Sequence, residues 1–186
     1  MKLLLIRHGK VDMKREKYYS PEEYNMAQAR YDEADILPVK AGQGTGDYER
    51  IYVSSLRRTQ LTAEQLFPSA PPSMLVRTAL LDEVPLSAFC STPKRRPWWM
   101  YDVFGRLQWR FGKGQKESYA ETRERADRLI AELEKKKENA ILITHGFFMN
   151  VLIRRLKRRG RYEIYRSGLL VIHPLEKIKV IDRQPH

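Results

Sequence analysis

Two stretches decide how this chain folds: Lys2-Leu3-Leu4-Leu5-Ile6-Arg7-His8-Gly9 and Ala140-Ile141-Leu142-Ile143-Thr144-His145-Gly146. Each is a short run of leucine and isoleucine closed by histidine and glycine, the pattern of a strand buried on both faces of a parallel sheet. The carboxyl ends of parallel strands share one edge, and ligands bind along that edge. The two imidazoles, distant in sequence, are therefore expected at one place. Arg7 adds a permanent positive charge beside His8. Such a site suits an anion, phosphate first.

Outward from these strands the elements alternate. After the first strand a polar loop leads to Ser20-Pro21-Glu22-Glu23, a helix start with Ser as N-cap, Pro in the first turn and Glu at the third position; that helix is expected to reach about Tyr31. Gly42, Gly44 and Gly46 connect to a second strand over 50–54, and a helix over 56–67 is stopped by Pro68 and the Pro71-Pro72 pair. A third strand is expected over 75–81. Ser118-Tyr119-Ala120-Glu121 repeats the capping pattern and opens a long helix with Tyr119, Thr122, Ala126, Leu129, Ile130 and Leu133 on one stripe. The strand ending at Thr144 feeds a helix over 147–156, and runs at 169–172 and 178–181 read as a terminal strand pair. The alternation predicts an α/β three-layer sandwich with a mostly parallel central sheet flanked by helices.

Between Asp82 and Glu117 the composition changes. Pro85, Pro93 and Pro97 interrupt regular structure, Lys94-Arg95-Arg96 is basic, and Trp98-Trp99 begins an aromatic stretch ending near Phe111. This segment reads as a cap-like insertion at about 84–117 covering the site of a single domain spanning 1–186. At 186 residues with 42% hydrophobic content, the chain can bury a substantial core and is neither disordered nor membrane-spanning. The apolar run at 3–6 is too short for a secretory leader. Lone Cys90 rules out an internal disulfide and suits a reducing compartment, so a cytoplasmic location is expected. A formal net charge of +12 points to acidic partners.

The second strand runs into Ser54-Ser55-Leu56-Arg57-Arg58 and then Thr62-Ala63, so a helix N-terminus and an arginine meet the same edge as the histidines. Taken with Arg7-His8-Gly9 and Thr144-His145-Gly146, the pattern resembles the histidine phosphatase superfamily, the phosphoglycerate-mutase-like fold. Ser54 to Ala63 is similar to the family's Ser-Pro-Leu-x-Arg…Thr-Ala segment, with Ser55 where proline is usual. Leu81-Asp82-Glu83 falls where the family places its acid. Glu117-Ser118, with Arg125 seven residues beyond the serine, resembles the family's Gly-Glu-Ser helix start, with Lys116 for the glycine.

The resemblance implies a metal-independent phosphatase acting on phosphomonoesters. His8 would be the nucleophile and carry a phosphohistidine. Arg7, Arg58, His145 and Gly146 would surround the phosphoryl oxygens, and Glu83 would protonate the leaving oxygen and then activate water. Arg7, Arg58 and a cationic second imidazole would favour the neutral, attacking form of His8. No cofactor and no metal site is expected. The substrate would be a small phosphorylated molecule or a phosphoprotein, with neither nucleic acid nor membrane as partner. A phosphoglycerate-type mutase is the alternative within the family, but Val84-Pro85-Leu86-Ser87 lacks the mutases' longer segment after the acid. A non-catalytic phosphoprotein or nucleic-acid binder is the alternative outside it, with the basic run Arg154 to Arg161 as its support. Cys90 to Arg96 matches the spacing of cysteine-dependent phosphatases, but that loop has no glycine and Pro93 lacks an N–H to offer an anion. Gly42, Gly44 and Gly46 precede a strand, which is the wrong side for a nucleotide fingerprint.

Overall fold

The computed structural model describes residues 1–40, 45–160, 162–167 and 178–183. Among these residues six strands form the central sheet: β1 (Lys2–Arg7), β3 (Arg50–Val53), β4 (Leu75–Arg77), β6 (Ala140–Thr144), β7 (Tyr162–Ser167) and β8 (Ile178–Arg183). Their order is β4-β3-β6-β1-β8-β7. The first four are parallel, β8 runs antiparallel to β1, and β7 antiparallel to β8. The two strands that lead into the histidines, β1 and β6, are direct neighbours. Arg7 pairs with Thr144 in their register, and the His8 N–H donates to the Thr144 carbonyl at 3.0 Å, so His8 and His145 leave the sheet side by side.

Alternation along the strands builds two cores. Leu3, Leu5, Ala140 and Leu142 face one side, where Leu129, Ile130 and Leu133 of α4 (Tyr119–Lys136) and Phe148, Leu152 and Leu156 of α5 (Gly146–Arg158) cover them. Ile6, Ile51, Val53, Ile141 and Ile143 face the other, against Ala63 and Leu66 of α2 (Arg57–Leu66). Both capping patterns form as expected. Ser20 and Glu23 reciprocate at the start of α1 (Pro21–Glu33), and Ser118 and Glu121 do so at α4.

The third strand is shorter than expected. It ends at Arg77, because the Thr78 side chain accepts from Leu80 and turns Ala79–Leu81 into a 3-10 helix. The second strand likewise stops at Val53, where the Ser54 hydroxyl accepts from the Leu56 N–H and bends the chain into α2. At the carboxyl end, β8 covers the expected 178–181 run, but its described partner is Tyr162–Ser167. The expected strand at 169–172 lies outside the described residues, as do Gly42, Gly44 and Arg161. Two residues of the basic run are spent internally: Arg155 grips Asp127 with two hydrogen bonds, and Arg159 donates to Glu134.

A third apolar cluster stands apart from the sheet. It joins Tyr19 of β2 (Tyr18–Tyr19), Tyr24 and Ala27 of α1, Tyr101 of α3 (Trp98–Arg110), and Leu86, Ala88 and Phe89. β2 pairs with β5 (Arg96–Pro97), Tyr24 stacks on Tyr101 at 4.6 Å, and the Tyr101 hydroxyl donates to the Tyr19 carbonyl at 3.0 Å. The layer over the site thus draws on residues from β2 and α1 as well as on the 84–117 segment.

Candidate active site

His8 sits at the floor of a cleft of about 910 Å³ at the carboxyl edge of the parallel strands. Its Nδ1 lies 2.7 Å from the Gly9 carbonyl oxygen, which can only accept, so Nδ1 carries the proton and Nε2 keeps a lone pair. Burial, followed by Arg58 and Arg7, holds the His8 pKa down at about 3, so the ring is neutral at pH 7. The next residue is fixed from the opposite side: Gly9 N–H donates to Thr62 Oγ1, itself bonded to the Arg58 carbonyl. A Cβ at position 9 would lie 2.9 Å from Val39 Cγ2 and 3.0 Å from Ile36 Cδ1, so a larger residue would have to push these side chains aside.

His145 has a different setting. Its ring centroid is 5.0 Å from that of His8, yet it is fully buried and does not line the cleft. Arg58 Nε donates to its Nδ1 at 3.1 Å, so Nε2 bears the proton and donates to Ser54 Oγ at 2.8 Å. Burial first, then Arg58, lowers its pKa well below the ordinary value. The expectation of a cationic second imidazole is therefore corrected: His145 is neutral, because a buried ring already facing a guanidinium cannot hold a second positive charge. The neutral form of His8 is enforced by burial and the arginines.

Arg58 is the largest fully buried side chain that also lines the cleft, 2% exposed. His145 takes its Nε, Asp32 Oδ1 accepts from Nη1 at 2.7 Å, and its guanidinium carbon lies 5.1 Å from the centroid of the Tyr31 ring. Arg57, one residue earlier, turns away to an exposed pair with Asp35. Arg7 also lines the cleft. Gly146 makes room for it: a Cβ there would stand 3.2 Å from Arg7 Cζ and 3.3 Å from its Nε. Gly146 does not itself line the cleft, so the structure gives it the work of seating Arg7.

The acidic pair divides its duties. Asp82 accepts from the Ser55 N–H at 2.7 Å and from the Ser55 hydroxyl at 2.6 Å, tying down the turn before α2. Glu83 sits at the N-terminus of α5, with Oε1 accepting from Val84 and Phe148 N–H and Oε2 from Phe147 N–H at 3.3 Å. The segment is aimed from two sides. Thr144 Oγ1 donates to the Leu81 carbonyl at 2.7 Å, and Arg125 donates to the carbonyls of Leu80 and Asp82 while gripping Glu117.

Above the floor, Arg15, Asn25, Gln28, Trp98, Asp102 and Arg106 extend the cleft. Arg15 lies against the rings of Tyr31 and Trp98 and pairs with Asp102, joining the early loop, α1 and α3. Arg106 stacks 3.4 Å from the Phe147 centroid; burial lowers its pKa while Glu83 acts to raise it. Sequence reasoning missed Asp32, Tyr31 and Arg106. Asp32, a charged residue in the last turn of α1, reads as solvated surface, and the spacing around Tyr31 and Arg106 does not mark either. Cys90 and Arg96 lie off the cleft, and Arg96 donates to the Lys94 carbonyl. Among the described residues, no three His, Cys, Asp or Glu side chains converge as a metal site.

Comparison with known families now decides the assignment, because a model of the histidine phosphatase superfamily (branch 1) matches residues 3–180. The chain belongs to the histidine phosphatase superfamily. Three solved structures share the fold. One, assigned as an alpha-ribazole-5'-P phosphatase from Escherichia coli K-12, is 22% identical at a TM-score of 0.55, with 84% of this chain and 79% of that one covered. Phosphoserine phosphatase from Entamoeba histolytica, with 3-phosphoglyceric acid bound, is 18% identical at a TM-score of 0.51, covering 84% and 80%. A histidine-to-alanine mutant of that phosphatase, holding phosphoserine, is 17% identical at 0.52, with the same 84% and 80% covered. A search of curated proteins gives no match. Among the described residues, no helix of this family member is long and apolar enough to cross a membrane.

Proposed function

We propose that this protein is a cytoplasmic phosphatase that hydrolyses phosphomonoesters through a phosphohistidine on His8, without a metal ion. The observation that carries the reading is the fixed tautomer of His8: Nδ1 is bonded to Gly9, the ring is neutral, and Nε2 is the remaining nucleophilic atom on the floor of a cleft shared with Arg7 and Arg58. Phosphoryl transfer requires an in-line nucleophile and positive charge around the equatorial oxygens. Nε2 attacks phosphorus as the ester oxygen departs, and the two guanidiniums carry the charge that spreads over the transferring group. His145 acts behind them, accepting from Arg58 Nε and so fixing the plane of its guanidinium.

Glu83 is the acid of this scheme. It gives a proton to the departing oxygen, then takes one from the water that attacks the phosphohistidine, which returns His8 and releases inorganic phosphate. Its anchoring N–H groups from α5 fix the carboxyl next to Phe147 on the cleft wall. The test is hydrolysis of p-nitrophenyl phosphate by protein treated with a chelator. Turnover that persists under chelation and vanishes in His8→Ala is expected. Turnover that stops on chelation and returns with a divalent cation would remove the metal-independent mechanism, and none under any condition would leave a binding protein.

A further inference from the structure

Helix α3 is apolar on two opposite faces. One face is used: Tyr101, Gly105 and Trp109 are buried beneath the helix. The other carries Trp99, Val103 and Leu107 at four-residue spacing, with Phe104 and Phe111 alongside, and these are 52%, 49%, 45%, 40% and 71% exposed. At 1.5 Å per residue, the ridge from Trp99 to Phe111 is about 18 Å long. A helix with a single buried face is expected to turn charged residues outward, so a second apolar face marks a contact.

The charges around the ridge select its occupant. From residue 91 to 116 the chain has seven cations and one acid, Asp102. Asp102 is already paired with Arg15, whereas Lys94, Arg110, Lys113 and Lys116 are exposed about the two ends of the helix. A second copy of the chain would bring two such basic segments together, which like-charge repulsion opposes. The ridge is the outer side of one helix and presents a line of protruding apolar side chains, as an interfacial helix does. Aromatic and aliphatic side chains along a helix with basic residues at its ends match the requirements of the headgroup boundary of an anionic bilayer.

We propose that α3 docks this protein on anionic membrane surfaces, with Trp99, Leu107 and Phe111 entering the headgroup region and Lys94, Arg110 and Lys113 meeting the lipid phosphates. This is peripheral attachment, distinct from spanning, and it revises the expectation of no membrane partner. Trp98, Asp102 and Arg106 of the same helix line the cleft, so docking sets the cleft mouth beside the bilayer.

Co-sedimentation of the full chain with vesicles is the test, using phosphatidylcholine alone and equal parts phosphatidylcholine and phosphatidylserine. Binding is expected only to the mixed vesicles and should weaken with added salt. A Trp99→Ser, Phe111→Ser double variant should bind about tenfold less or weaker still, and Lys113→Gln should cost roughly fivefold. Neither variant touches the cleft, so hydrolysis of p-nitrophenyl phosphate in solution should stay at the wild-type level and confirm folding. Three results would overturn the proposal. They are no binding to mixed vesicles, undiminished binding by the double variant, or a solution dimer that the double variant dissociates.

Discussion

His8 and His145 are alike in sequence, each closing an apolar strand before a glycine, and their rings lie 5.0 Å apart. Their surroundings give them opposite tautomers. His8 is protonated on Nδ1 by its bond to Gly9 and keeps Nε2 free, whereas His145 has both nitrogens engaged, by Arg58 and Ser54. One imidazole lines the cleft and the other is sealed behind it. The lesson is that a strand-end motif delivers a ring to an edge, and the hydrogen bond on its second nitrogen decides what the ring can do.

The largest effect should fall on His8. His8→Ala is expected to abolish turnover while the cooperative unfolding transition survives; measurable kcat in a folded variant would transfer the nucleophile elsewhere. Arg58→Ala comes next, at about a hundredfold loss in kcat, because one preorganised donor to the transition state is typically worth about 3 kcal/mol. Arg57→Ala should do far less, its side chain being spent on Asp35.

His145→Ala sharpens the comparison. If His145 works through Arg58, its loss should be smaller than that of His8→Ala, and adding it to Arg58→Ala should cost little more, since groups acting as one unit are not additive. Fully additive losses would show that His145 acts independently of Arg58. Glu83→Gln should then separate substrates: an alkyl phosphate, whose alkoxide leaves poorly, should suffer much more than p-nitrophenyl phosphate. Asp82→Asn should affect both alike, through the Ser55 turn that it holds.

The smallest effect concerns pH and stability. Below the ordinary histidine value of 6.5, the unfolded chain takes up protons that folded His8 refuses until about pH 3. Stability should therefore fall as pH drops from 6.5 toward 3, by up to about 1.4 kcal/mol per pH unit for this one ring. Tm measured at pH 7 and pH 5 should differ less in His8→Ala than in the wild type. An equal drop in both would mean that His8 is not held neutral by the fold.

The two histidine strands, their shared edge, the Arg58 junction and both capping boxes were legible in the sequence because each rests on short-range chemistry: apolar runs, glycine stops and Ser-x-x-Glu spacing. What was not legible depends on long-range partners. The neutrality of His145 follows first from its burial and then from Arg58, 87 residues away. Asp32 reaches Arg58 from the end of α1, across 26 residues. The third strand ends before Leu80 and Leu81, which look like strand residues in sequence, because the Thr78 side chain caps their turn. Composition marks the outer layer only over 84–117, whereas its aromatic cluster also recruits Tyr19 and Tyr24.

The central claim is that Nε2 of His8 is the atom that attacks. Rapid acid-free quenching of the enzyme with a ³²P-labelled phosphomonoester, followed by peptide mapping and phosphohistidine isomer analysis, tests it most directly. The account predicts label on the peptide containing His8, base-stable and acid-labile, as the Nε2 isomer, and no label in His8→Ala. Label on Nδ1, on His145 or on Cys90 would contradict it.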